Sequence, residues 1–463
     1  MAEHLKCLSP IDGSVYVERP LAGEAEIASA LKKAQQAEPK WRAISVAERA
    51  EVCSRAVDAF VRKGPSIAEE ITRQMGRPLS QSPGEVRGFE ERARYMIGIA
   101  EETLMDRSLG PKEGFNRFIR REPVGVVFVI APWNYPYLTA VNVIIPAIMA
   151  GNTVILKHSA QTPLCAERYA EAFVEAGLPE GVFQYLHLSH ANAERMMKAP
   201  EVNFVAFTGS VPGGKTVEKA TAGRFIGVGL ELGGKDPAYV HPDCNLDHAI
   251  ENLVDGAFFN SGQSCCGIER IYVHEQVYNK FLTGYVDLVN GYRLGNPLDL
   301  KVNLGPVVKP SAARLIEEQV GEAVKKGAKT LIDPKKFPEA KSGTCYLAPQ
   351  VVVNVDHSMR LMTEESFGPV IGIMKVKSDD EAIHLMNDSD YGLTAAIWTE
   401  DQDTAIRIGD QVATGTWFMN RCDYLDPALA WVGIKDSGRG CTLSADGYLH
   451  LTRPKSFHLR IKT

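Results

Sequence analysis

The sequence predicts an α/β protein built on parallel sheets. Three observations carry that expectation. Helical and strand patterns alternate along the chain. The strand-like segments are continuous apolar, β-branched runs, as fits strands covered on both faces. Strands end in glycine turns that lead into helices, as at Thr208-Gly209-Ser210. At 463 residues, and roughly 150 residues per domain, two or three domains are expected.

In chain order, residues 25–38 and 45–63 are alanine-rich with helical periodicity, and Pro39 should stop the first of these helices. Residues 124–130 and 153–156 read as buried strands, and 162–176 as a helix closed by Gly177 and Pro179. A strand at 202–207 leads to a helix from about Gly213. A strand at 225–231 ends in Leu232-Gly233-Gly234. Residues 245–259 form an amphipathic helix with Ile250, Leu253, Val254, Ala257 and Phe258 on one stripe. That helix runs into Asn260-Ser261-Gly262-Gln263-Ser264-Cys265. A strand at 270–274 and helices at 314–329 and 382–387 follow. The tail, 448–463, alternates as an edge strand suited to pairing with another subunit.

The totals narrow the function. A net charge of −6 argues against general affinity for nucleic acid or anionic lipid. The first residues lack a long apolar run, so no secretory signal is expected. Nine scattered cysteines, an odd count, suit reduced thiols in a cytoplasmic compartment. No charge falls between Glu122 and Lys157, but Pro132, Asn134, Pro136, Asn142, Pro146 and Gly151-Asn152 break the stretch. It reads as strand, loop, helix and strand, not as a membrane span. His241, Cys244 and His248 lack a fourth ligand nearby, so no metal is expected, and Asp243 or Asn245 reads as a helix cap. Lys309-Pro310 and Lys335-Lys336 read as solvated loops.

Five features could carry chemistry. Cys265 and Cys266 lie among glycine and serine between a helix and a strand; alone the pair reads as buried small hydrophobes, or as a reactive thiolate site. Glu231 ends a buried strand, where partial burial would raise its pKa and suit it to general-base work, or where it could be a solvated strand end. Asn134 sits between Pro132 and Pro136, in either a rigid turn or an oxyanion donor site. Lys157 ends an apolar strand, solvated or placed for a ribose or phosphate. Phe207-Thr208-Gly209-Ser210 with Gly214 opens a helix whose N–H groups could meet a pyrophosphate.

Taken in order, Pro132-Trp133-Asn134, Lys157, Phe207-Thr208-Gly209-Ser210, Glu231-Leu232-Gly233-Gly234-Lys235, Gly262-Gln263-Ser264-Cys265 and Glu365-Ser366-Phe367-Gly368-Pro369 resemble the aldehyde dehydrogenase superfamily. The resemblance runs from Pro10-Ile11-Asp12-Gly13 to the tail. It implies that Cys265 is the nucleophile, Glu231 the general base, and Asn134 with the Cys265 N–H the oxyanion hole. It assigns Trp133, Lys157, Gly209, Ser210, Gly214, Glu365 and Phe367 to an NAD or NADP site. It places Tyr135, Thr139, Asn142, Ser264, Cys266 and Leu425 at the substrate pocket, with Arg421 able to approach a substrate carboxylate. The pocket suits a medium-sized aliphatic or aromatic aldehyde, with a semialdehyde acid as the alternative. The implied reaction forms a thiohemiacetal and then a thioester on Cys265, which water activated by Glu231 hydrolyses to the acid. Members that pass the acyl group to coenzyme A usually lack this glutamate.

The resemblance further implies a Rossmann-type NAD(P)-binding domain at 1–108 and 122–232 and a catalytic domain at 233–435. It makes 109–121 and 436–463 a small β extension joining subunits into a homodimer or homotetramer. Two departures stand out. After Lys157 the chain reads His158-Ser159-Ala160, so the glutamate that would repel a 2′-phosphate is missing and both cofactors should serve. Where many members read Gly-Arg-Glu, this chain has Gly440-Cys441-Thr442, without the carboxylate assigned to proton relay. Two other readings are a catalytically silent binding protein of the same fold and a thiol hydrolase without redox chemistry. The joint presence of the three catalytic matches opposes the first, and the cofactor matches oppose the second.

Overall fold

The computed structural model describes residues 3–462. Met1, Ala2 and Thr463, at the ends of the expected first and last segments, lie outside the described residues.

Val126–Ala131 is wholly buried and pairs in parallel with Thr153–His158 on one side and Val202–Thr208 on the other. Its alternate side chains serve two cores. Val127 and Val129 pack with the helix Pro136–Met149, while Phe128 and Ile130 face Ile27, Leu31 and Val217. The six-stranded sheet runs Gly438–Arg439, Gly227–Glu231, Val202–Thr208, Val126–Ala131, Thr153–His158, Phe183–Tyr185. Only Gly438–Arg439 is antiparallel to its neighbour, Gly227–Glu231.

A second sheet has seven strands, in the order Lys329–Thr330, Gln350–Val353, Val370–Val376, Ile268–His274, Asp236–Val240, Thr394–Trp398, Thr416–Met419. It too is buried on both faces: Val240, Ile271 and Trp398 enter one core, and Tyr239, Tyr272 and Ile397 the other. A third, antiparallel sheet joins Thr452–Arg460 to Phe115–Pro123 over nine residue pairs and adds Arg107–Ser108. Two-stranded pieces join His4–Leu8 to Val15–Pro20 and Tyr391–Gly392 to Ile434–Lys435.

Some boundaries differ from expectation. The first helix runs Glu24–Arg42, with Pro39 inside it. Trp41, about 1% exposed, donates from its indole to the Ile148 carbonyl at 2.9 Å, and this anchoring offsets the backbone bond that proline forfeits. The helix expected from Gly213 starts at Val211, because the Ser210 hydroxyl caps it by accepting from the Gly213 N–H. Lys309-Pro310 is not a loop: Pro310 opens the helix Pro310–Lys325, where its missing N–H costs nothing. The tail strand begins at Thr452, since Ser444–His450 is helical with Tyr448 buried. Asn245 caps the helix Leu246–Phe258 through His248 N–H. No helix among the described residues is long and apolar enough to cross a membrane. No group of three or more potential metal ligands occurs among the described residues.

Candidate active site

The helix Leu246–Phe258 carries the chain to a turn in which Asn260, Ser261 and Gly262 all have positive φ, at 52°, 56° and 70°. Two non-glycine residues in that region cost backbone energy, so neighbours must hold the turn. The Asn260 amide donates to the carbonyls of Asn134 and Gln263 at 3.3 and 3.1 Å. The Ser261 hydroxyl donates to the Gly305 carbonyl at 2.9 Å, and Gln263 Oε1 accepts from the Val308 N–H at 2.8 Å. A Cβ on Gly262 would lie 2.2 Å from the Gly368 carbonyl oxygen, so only glycine fits. Cys265 follows, half-buried.

Asn134 lies across from it, about 4% exposed, its amide donating to the Gln263 carbonyl at 3.3 Å. Its own carbonyl accepts from the Arg77 guanidinium as well as from Asn260. Arg77 is paired with Glu85 and lies over the Tyr135 ring, 4.5 Å from its centroid. The other Glu85 oxygen accepts from the N–H groups of Tyr137 and Leu138 at 2.9 and 3.0 Å, capping the helix Pro136–Met149.

Glu231 ends its strand beside Thr208. Its Oε1 accepts from the Thr442 hydroxyl at 2.5 Å and its Oε2 from the Thr208 hydroxyl at 3.2 Å. Burial pushes its carboxyl above the ordinary range, and those two hydroxyls oppose the shift. Cys265 and Glu231 line two cavities in common. One is a cleft of about 460 Å³ and the other a smaller space of about 190 Å³.

The larger cleft is walled by Tyr135, Thr139, Asn142, Cys266 and Leu425, all expected, together with Trp431, Asp423 and Arg92. Ser264 is not among its lining residues; its hydroxyl donates to Asp423 Oδ1 at 2.9 Å. The Cys266 thiol reaches the same oxygen at 2.9 Å. Contact with the Cys265 thiol, then burial and Asp423, raise the Cys266 pKa well above the ordinary thiol value. Burial likewise raises Asp423. Arg421 departs from expectation: its guanidinium stacks on Tyr424 at 3.8 Å, outside the cleft lining. Arg92 and Arg77 are the buried arginines of that lining, and Arg92 donates to the Leu138 carbonyl at 2.8 Å and to Asn142 Oδ1 at 3.4 Å.

The smaller space collects Trp133, Gly209, Ser210, Glu365 and Phe367 beside Asn134. The Trp133 and Phe367 rings meet edge-on, 5.6 Å apart at 79°. Glu365 accepts from the Gly234 N–H at 3.1 Å, and a Cβ on Gly233 would press to 2.5 Å from its carboxylate. Burial, and then the nearby Glu269 charge, push Glu365 to about 8. Glu269 pins the segment: it pairs with Lys235 at 2.6 Å and accepts from the Ser366 and Phe367 N–H groups at 2.8 and 2.9 Å. Lys157 and Gly214 are not among the lining residues. The Lys157 ammonium donates to the His158 carbonyl at 3.3 Å and burial lowers its pKa. Gly214 lets Leu232 pack close, since a Cβ there would stand 2.7 Å from it.

Sequence reasoning missed Arg77, Glu85, Asp423 and Glu269. One signal for Glu85 was present: the stretch from Glu122 to Lys157 contains no charge, so the N–H groups opening its helix needed an acceptor from elsewhere. The Thr442 contact had only a negative signal, the absence of a carboxylate.

Comparison with known proteins gives the family. The sequence model of the aldehyde dehydrogenase family matches residues 1–457. An aldehyde dehydrogenase-like protein of Schizosaccharomyces pombe is 33% identical over 462 residues, covering 99% of this chain and 92% of its own. The NADP-dependent succinate-semialdehyde dehydrogenase 1 of Mycobacterium tuberculosis is 31% identical over 445 residues, 95% and 96% of the two chains. The solved structure of the NADP-dependent glyceraldehyde-3-phosphate dehydrogenase from Bacillus halodurans, complexed with NADP, superposes with a TM-score of 0.93 at 30% identity, covering 99% and 96%.

Proposed function

The chain belongs to the aldehyde dehydrogenase family and oxidises an aldehyde to a carboxylic acid with NAD or NADP; from that premise we propose that Cys265, Glu231 and Asn134 carry the chemistry. The observation that bears the proposal is that Cys265 and Glu231 line both the cleft and the smaller space.

The lining of the smaller space suits the nicotinamide, ribose and pyrophosphate end of a dinucleotide. The helix Val211–Thr221 directs its N-terminus there behind Gly209 and Ser210, as suits a pyrophosphate. The glycine at 233 leaves room for the Glu365 carboxyl to meet ribose hydroxyls, and Phe367 forms a wall for a flat ring. When bound, the nicotinamide supplies the hydride acceptor.

Within this chain, the Cys265 thiolate adds to the aldehyde carbon. Asn134 Nδ2 and the Cys265 N–H donate to the oxygen as it gains charge. Once the carbon is oxidised to a thioester, Glu231 takes a proton from water as that water attacks. The carbon–sulfur bond breaks, its electron pair returns to Cys265, and the acid leaves.

By this reading residues 1–108 and 122–232 hold the cofactor and 233–435 carry the nucleophile, but Gly438–Arg439, within the expected extension, pairs into the six-stranded sheet beside Gly227–Glu231. The extension, 109–121 with 436–463, pairs subunits into a homodimer or homotetramer. Its long exposed edge strand Thr452–Arg460 supports that role, and sedimentation tests it. All nine cysteines are free thiols, which supports a reducing, cytoplasmic compartment.

The direct experiment mixes the protein with NAD or NADP and a panel of aliphatic, aromatic and carboxylate-bearing aldehydes, and follows reduced cofactor. Cys265→Ser abolishes turnover, whereas Cys266→Ser alters it. Undiminished turnover by Cys265→Ser overturns the assignment.

A further inference from the structure

We propose that Glu269 is a positioning residue for hydride transfer: its carboxylate captures two neighbouring N–H groups and so holds the Phe367 ring where the flat ring of the cofactor lies. The proposal rests on the reading that the smaller space receives that ring.

Phe367 is not glycine, yet its backbone φ is 53°. A residue with a side chain keeps that conformation only where its surroundings impose it. Here the constraint comes from one carboxylate. Glu269 Oε2 accepts from the Ser366 N–H at 2.8 Å and Oε1 from the Phe367 N–H at 2.9 Å. Two successive N–H groups turned toward one anion make a concave seat for negative charge. The counter-charge is Lys235, whose ammonium lies 2.6 Å from Glu269 Oε2 and donates to the Ser366 hydroxyl at 3.1 Å. Glu269, Lys235 and Ser366 are 6%, 1% and 3% exposed, so water does not substitute for these contacts.

The ion pair also ties the ring wall to the segments that carry the two reactive groups. Glu269 lies four residues past Cys265, on the strand Ile268–His274, and Lys235 lies four residues past Glu231. Arg270 Nε donates to the Lys235 carbonyl at 2.8 Å, which fastens those two segments side by side. Nucleophile, base and ring wall thus share one buried joint. Neither Glu269 nor Lys235 lines the cleft or the smaller space, so Glu269 acts on the reaction through the segment it holds. With the carboxylate gone, nothing obliges Phe367 to keep a positive φ, and its ring leaves the wall. Hydride transfer is sensitive to such a shift, because a displacement of about 1 Å can cost a hundredfold in rate.

Glu269→Gln keeps the shape but offers one acceptor oxygen where two N–H groups converge. In a single turnover, reduction of NAD or NADP should slow about tenfold or more, the scale of one hydrogen bond to a charged group. Two measurements without the cofactor should stay near wild type. One is cleavage of nitrophenyl acetate, an acyl transfer that uses Cys265, Asn134 and Glu231. The other is calorimetric affinity for ADP, which lacks the nicotinamide and its ribose. Phe367→Gly adopts a positive φ freely and carries no ring. In that background Glu269→Gln should cause little further loss of reduction rate. Where the lone Lys235 ammonium unfolds the single variant, Glu269→Gln with Lys235→Met removes both charges and is read in the same way. The proposal is overturned by a Glu269→Gln protein that reduces cofactor at the wild-type rate, by equal loss of ester cleavage or ADP binding, or by losses at 269 and 367 that multiply. A wild-type protein that cleaves the ester but reduces neither cofactor with any aldehyde would instead strike at the cofactor reading itself.

Discussion

Arg77 and Glu85 meet at 2.6 Å with their side chains about 1% and 0% exposed, and between them they touch both halves of the site. Arg77 reaches the Asn134 carbonyl and, at 3.2 Å, Asn260 Oδ1 in the turn before the cysteine. Glu85 caps the helix that follows Asn134. Removing one partner leaves a buried charge uncompensated, so Glu85→Gln should cost about 3–5 kcal/mol in urea unfolding. Replacing both by apolar residues, Arg77→Met with Glu85→Leu, should recover neither stability nor activity, because the Tyr137 and Leu138 N–H groups and the Asn134 carbonyl then lose the bonds that the pair supplied. A double variant with wild-type kcat would show that the pair does not position the site.

As oxyanion donor, Asn134 should matter more to rate than to binding. Asn134→Ala is expected to lower kcat by roughly 10²–10³ with a small change in KM. Circular dichroism must show the variant folded, since its amide also bonds the Gln263 carbonyl. A fall in kcat of less than about fivefold would remove Asn134 from the mechanism.

Cofactor choice should be permissive. The strand Thr153–His158 ends in a buried, neutral His158, whose pKa burial lowers to about 4, and exposed Ala160 follows two residues later. No carboxylate at 160 stands to repel a 2′-phosphate. The ratio of kcat/KM for NAD and NADP should stay within about a hundredfold. Ala160→Glu should shift it toward NAD. A native preference for NAD above that range would refute this reading.

Glu365 makes stability depend on pH with a definite sign. Its carboxyl rises from the ordinary 4.5 to about 8 on folding, so the folded chain holds a proton that the unfolded chain has released. Its contribution is full below 4.5, declines as pH rises, and is lost above about 8. Tm measured across that window should therefore fall less steeply for Glu365→Gln than for the native chain. Parallel Tm curves for the two would mean that Glu365 is ionised when folded.

Much of the fold was legible because its strands are fully covered. Val126–Ala131 is an unbroken apolar run, and no arrangement but a buried parallel strand uses it well. The helix leading to Cys265 was equally plain from its single apolar stripe. Boundaries failed where one long-range contact outweighed a local preference, as when the Trp41 indole carried a helix past Pro39. The motif residues at 134, 231 and 265 were readable as a set, since their order along the chain is itself the signal. Their supports were not. Arg77, Glu85 and Glu269 are ordinary charged residues in the sequence, and only packing brings them to their partners. Arg421 illustrates the reverse: the resemblance left it able to approach a substrate carboxylate, but its cation finds the Tyr424 ring.

The near-touch of Gly262 and Gly368 has a consequence for how such an enzyme can diversify. Two main-chain segments, one carrying the sulfur and one carrying the aromatic wall at Phe367, abut with no side chain between them. The stand-off between nucleophile and ring wall is thus inherited from the backbone. Drift at Leu425, Thr139 or Trp431 can alter which molecules enter while the reacting distance stays constant.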